Sequence, residues 1–120
     1  MTKVGITVNG DDVTNVAINS IKAVSDKPHG IFGVDMAYDK DGVPNPTEIN
    51  ISRFFTTVRF FTEAGLNLPE IFKCYALGED VSLPETTVNP LETNLMWVRG
   101  MDTSPRLVVR ESLEREIIFL

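Results

Sequence analysis

The chain has almost no cysteine. Cys74 stands alone, so no disulfide can close within it. It has no apolar run near the ~20 residues that a membrane-spanning helix requires. Its opening, Met1-Thr-Lys-Val-Gly-Ile-Thr-Val8, carries neither the apolar stretch nor the cleavage site of a secretory signal. A reducing, cytoplasmic setting is the expectation. Positive charge is short as well: 11 Lys and Arg against 17 Asp and Glu leave a net charge of −6. That balance disfavours nucleic acid and anionic membranes as partners. His29 is the single histidine, set before a glycine at a strand entrance, and it reads as a loop or packing residue rather than a base. Cys74 has helix-like neighbours and no nearby histidine, so it reads as a buried structural thiol.

The remaining content is that of an ordinary globular protein, with 42% hydrophobic and 23% charged residues. A length of 120 residues sets a single domain, 1–120, as the expectation. Lys3 to Val8 alternates as a strand. Asn9-Gly-Asp-Asp12 supplies a turn and an N-cap, and Val13, Val16, Ala17, Ser20, Ile21 and Val24 then fall at helical spacing. Ile31–Tyr38 and Val43–Ile51 read as paired strands. Phe54–Ala64 reads as a helix closed by Gly65, and Pro69 opens a short helix that runs through Leu77 to Gly78. Residues 81–92 have little periodicity and read as a surface loop. Two strands, 94–99 and 106–110, flank Gly100–Pro105. A polar tail, 111–116, and an apolar end, 117–120, finish the chain. The fold class is mixed α/β (α+β), an antiparallel sheet with helices on one face. Trp97 and the paired phenylalanines belong to its core.

The chemistry concentrates in Gly33-Val-Asp-Met-Ala-Tyr-Asp-Lys-Asp-Gly-Val-Pro-Asn-Pro-Thr-Glu-Ile-Asn-Ile-Ser-Arg53. Asp41-Gly42 is a strong signal for a two-residue hairpin turn. With that loop Lys40 closes on Val43, and Asp35 lies directly opposite Glu48. Pro44 and Pro46 then occupy non-hydrogen-bonded positions, where a missing N–H is tolerated. The Asp35–Glu48 pair is also expected to be non-hydrogen-bonded, with Cα atoms about 4.5 Å apart. Asn50 shares the face of Glu48, because strand side chains repeat every two residues. Two carboxylates about 5 Å apart repel by roughly 3 kcal/mol at an effective dielectric of 20. The offset can be a bound cation, a shared proton or the nearby Arg53. Two carboxylates and an amide oxygen suit a hard divalent ion such as Mg²⁺.

Neighbouring signals are weaker. Residues 37–48 approach a calcium loop, but Ala37 stands at its first ligand position and Pro44 at its eighth, and the flanks read as strands. Asp39 and Asp41 therefore read as solvated turn residues. Arg59 and Arg99 read as surface charge. Thr56 and Thr57 could touch substrate or sit inside a helix.

An Asp, a short hairpin and then Glu-x-Asn resembles the C-terminal metal-binding hairpin of ATP-grasp enzymes. Thr47-Glu-Ile-Asn-Ile-Ser-Arg-Phe-Phe-Thr-Thr57 is most similar to the carbamoyl-phosphate-synthase-like branch. The resemblance covers residues 11–80. It implies that Asp35, Glu48 and Asn50 hold Mg²⁺ (or Mn²⁺) on the phosphates of ATP, the substrate. It also implies that Arg53 faces the phosphate or an acyl-phosphate, a role that stays open beside that of counter-charge to Glu48. The implied activity is ATP-dependent ligation of a small carboxylate. The family's glycine-rich phosphate loop, ATP-contacting lysines and adenine pocket have no counterpart in this sequence. The expectation is a C-terminal fragment or subunit that needs an upstream lobe or subunit as partner and is inactive alone. The alternative is a non-catalytic binding or structural module derived from that fold. Terminal strands without partners would favour homo-oligomers.

Overall fold

Helix caps and turn residues set the element boundaries in a computed structural model that describes residues 4–100 and 104–111. In chain order the elements are β1 (Val4–Ile6), α1 (Asp11–Val24), β2 (Phe32–Tyr38), β3 (Pro44–Ile51), α2 (Val58–Glu63), α3 (Leu68–Leu77), β4 (Leu95–Val98) and β5 (Arg106–Val109). The chain divides into two compact units. One is the continuous segment Gly10–Phe55, and the other is built from its flanks, through Asn9 and from Thr56 onward.

The flanking unit holds a three-stranded antiparallel sheet in the order β1-β4-β5. Central β4 pairs Trp97 with Gly5 on one side and with Leu107 on the other. Gly5 has no side chain to occupy the space over the sheet, so the Phe60 ring of α2 lies there: a Cβ on Gly5 would meet Phe60 at 3.6 Å. Phe60 stacks on Trp97 with ring centroids 5.8 Å apart and planes 12° apart. These two rings are 5% and 2% exposed and form the centre of the core, together with Met96 and Cys74. Thr7 fixes the sheet end, its Oγ1 donating to Glu92 O at 2.6 Å and accepting from Leu95 N at 2.9 Å.

The two helices of this unit end on glycines. After α2 the chain enters the left-handed region at Gly65, while Gly65 N donates to Thr62 O and Leu66 N to Phe61 O. Gly78 ends α3 in the same conformation. Asn67 caps the start of α3 by accepting from Glu70 N at 3.3 Å.

In the other unit α1 packs on β3 of the β2–β3 hairpin. The half-buried helix positions Val13, Val16, Ala17 and Ile21 form one stripe. The hairpin likewise half-buries Val34, Met36 and Ile49 and exposes Asp35 and Glu48.

Several boundaries differ from expectation. The antiparallel strands fall into two sheets rather than one. Helix α1 begins at Asp11 with Gly10 at its N-cap, and among the described residues no side chain caps it. The expected helix from Phe54 begins only at Val58, because Ser52 turns the chain at φ 59° and residues 52–57 stay irregular. Thr57 is the N-cap residue of α2, not an interior position. Residues 101–103 of the expected β4–β5 turn, and nearly all of the expected polar tail and apolar end, lie outside the described residues. No helix among the described residues is long and apolar enough to cross a membrane.

Candidate functional site

The hairpin turn is one residue longer than the Asp41-Gly42 signal implies. Asp39 N donates to Val43 O at 3.0 Å and Gly42 N to Asp39 O at 3.1 Å, so Lys40, Asp41 and Gly42 form a three-residue loop. Gly42 takes φ 78°, the left-handed position such a loop requires. The Asp39 carboxylate closes it from within, accepting from Asp41 N at 2.9 Å and Val43 N at 3.0 Å. Those N–H groups, that of Val43 first, hold the Asp39 carboxyl below its ordinary range. Asp39 and Asp41 are thus turn residues, as expected.

The longer loop pairs Tyr38 with Pro44 and Met36 with Pro46. A β-bulge then restores the expected register. Thr47 is the extra residue of β3, its Oγ1 donating to Asp35 O at 3.1 Å, and from there Asp35 pairs with Glu48, Val34 with Ile49 and Gly33 with Asn50. Asp35 and Glu48 therefore face each other as expected. Their kind of pair differs. Ser52 N donates to Ile31 O at 2.9 Å, and alternation from that rung makes Gly33–Asn50 and Asp35–Glu48 hydrogen-bonded pairs. The Cα spacing is then about 5.5 Å rather than about 4.5 Å. Pro44 and Pro46 remain at non-hydrogen-bonded positions.

Glu48 and Asn50 present their side chains on one face with Asp35. The turn at Ser52 folds Arg53 back onto that face. Arg53 Nε donates to Asn50 Oδ1 at 3.0 Å, Nη2 donates to the same oxygen, and Nη2 lies 3.8 Å from Glu48 Oε1. Arg53 is therefore the counter-charge of Glu48. Among the described residues the Asp35 carboxylate has no hydrogen-bond or ion-pair partner. The site is open to solvent, with the Arg53 and Glu48 side chains 70% and 60% exposed.

The donor set fits a hard divalent ion in part. Asp35 and Glu48 supply carboxylate oxygens on one face, but Asn50 Oδ1 already accepts two guanidinium N–H groups. Among the described residues no three His, Cys, Asp or Glu side chains gather into a cage, so protein oxygens alone would leave such an ion mostly hydrated.

Two neighbours were not legible as site residues. Thr47 reads as an ordinary strand threonine until the bulge is seen. Phe55 reads as a helix residue, yet a Cβ on Gly33 would meet its ring at 3.9 Å and Asn50 Cβ at 3.9 Å, so the ring borders the Asn50 face. The other candidates lie elsewhere: His29 is exposed, Arg59 pairs with Glu63 at 3.2 Å, and Arg99 Nη1 donates to Thr56 O at 3.5 Å. Cys74 is buried at 5% exposure, and burial pushes its thiol up, away from nucleophilic character.

No family model matches the chain, and no curated protein or solved structure matches it either.

Proposed function

We propose that the β2–β3 hairpin is the metal- and phosphate-holding element of an ATP-grasp-type ligase of the carbamoyl-phosphate-synthase-like kind. The observation that carries this reading is the unpartnered Asp35 carboxylate held opposite Glu48, with Asn50 on the same face. Asp35, Glu48 and Asn50 would hold Mg²⁺ or Mn²⁺. When bound, the ion would neutralise the phosphate oxygens of ATP, the largest electrostatic requirement of phosphoryl transfer. Arg53, released from Asn50, has the planar fork that suits a phosphate or acyl-phosphate oxygen. The chemistry is activation of a small carboxylate through an acyl-phosphate. It requires a further lobe or subunit to grip the nucleotide, because this hairpin offers no adenine pocket.

The test is titration of the ¹⁵N-labelled chain with Mn²⁺ and ATP. Paramagnetic broadening centred on residues 33–36 and 48–53, and abolished by Glu48→Gln, supports the reading. Broadening spread over the acidic surface, or unchanged by Glu48→Gln, sinks it.

One observation favours a second reading, a non-catalytic structural module. Arg53 already offsets Glu48 and occupies the Asn50 oxygen, so the polar face is partly satisfied without an ion. In that case the hairpin tolerates Asp35→Asn and Glu48→Gln together, with no ligand-dependent change in stability.

A further inference from the structure

A cavity of about 540 Å³ opens in the unit that holds α2 and α3, within the range of small-molecule pockets. One wall is the face of α3 that carries Glu70, Ile71 and Cys74. The segment after α3 also lines it, with Asp80, Leu83 and Leu91. That segment is stiffened by Pro84 and Pro90. It is also tied down where Asn89 Nδ2 donates to Asn9 Oδ1 at 3.1 Å. A wall fixed before binding lowers the ordering cost of a ligand.

The charges around the cavity are unequal. Glu70 is matched by Lys73 at 2.9 Å, and the same ammonium lies 3.8 Å from Glu79. Among the described residues the Asp80 carboxylate has no such partner. An anion would meet two carboxylates here, and the first turn of α3 already spends its Glu70 N–H on Asn67. A cation with an apolar body meets the complementary surface.

We propose that this cavity binds a small apolar amine, its hydrocarbon among Ile71, Leu83 and Leu91 and its ammonium group on Asp80. The site is independent of the hairpin and of the function proposed for it.

The test compares three probes of nearly equal size, 2-phenylethylamine, 2-phenylethanol and phenylacetate. Resonances of residues 64–67 and 80–84 are followed by NMR. The amine should shift these resonances saturably, with the alcohol weaker and the carboxylate weakest. Asp80→Asn should weaken the amine about two- to fivefold, the range of an exposed ion pair, and leave the alcohol unchanged. Trp97 fluorescence checks that the variant stays folded. Equal binding of amine and alcohol, an amine affinity indifferent to Asp80→Asn, or no saturable shift with the amine would each overturn the proposal.

Discussion

Removing Arg53 should strengthen, not weaken, the binding of a bare divalent cation at the hairpin. Arg53 donates twice to Asn50 Oδ1 and sits 3.8 Å from Glu48 Oε1, so it competes for two of the three proposed ligands. A guanidinium about 5 Å from a divalent ion repels it by about 1.7 kcal/mol in water, and by about half that at physiological salt. Freeing the Asn50 oxygen from its hydrogen bonds adds about 1 kcal/mol. The sum is roughly 2 kcal/mol, a ten- to thirtyfold gain in affinity. Stability should fall by less than about 1 kcal/mol, because both partners are largely exposed. Mn²⁺ titration of wild type and Arg53→Ala, read by water-proton relaxation, measures the first quantity, and urea unfolding measures the second. Unchanged or weaker Mn²⁺ binding in Arg53→Ala would refute the placement of the ion among Asp35, Glu48 and Asn50. Binding of ATP phosphates should move the opposite way if Arg53 serves them.

Phe60→Ala should destabilise the flanking unit by about 3–5 kcal/mol, since it empties a buried ring site and removes the stack on Trp97. Red-shifted Trp97 fluorescence and a lower urea midpoint would register it. Deleting Thr47 should remove the bulge and leave Asp35 opposite Glu48, because Glu48 then follows Pro46 directly and the Tyr38–Pro44 register runs unbroken through the strand. Cross-strand NOEs between Asp35 and Glu48 would persist, and their loss, with Glu48 moved opposite Met36, would disprove the bulge. For Asp39, a carboxyl held low in the folded state stabilises fully above its ordinary value of 3.8 and loses that contribution as pH falls through the lowered value. The amide signals of Val43 and Asp41 should therefore shift below about pH 3.8, and Asp39→Asn should flatten that dependence.

The facing of Asp35 and Glu48 was legible in the sequence, but for a reason that only the structure displays. A three-residue loop moves the register one way, and the Thr47 bulge moves it back. Pro44 and Pro46 could not separate the two arrangements. Val43 closes the loop in both, and the prolines report only their distance from Val43, not which residue of β2 lies opposite. The bulge has no composition of its own, so nothing in Pro-Thr-Glu marks it. Helix α3 was legible because Pro69 and Gly78 mark its ends; its Asn67 cap went unread, although Asn67 with Glu70 three residues on fits the capping pattern. The late start of α2 was not, since Phe54 and Phe55 fit a helical stripe that the left-handed turn at Ser52 prevents.

The pairing of Val4–Ile6 with Met96–Val98 gives the chain an order of assembly. The hairpin and α1 are contiguous, so they can close while the ribosome is still adding residues. The sheet around Trp97 cannot, because its first strand waits for a partner made about ninety residues later. Loop closure over that distance is slow. During translation the Phe60 ring and the β1 edge remain uncovered until β4 emerges. That interval is when a chaperone, or a second nascent copy, would find this protein.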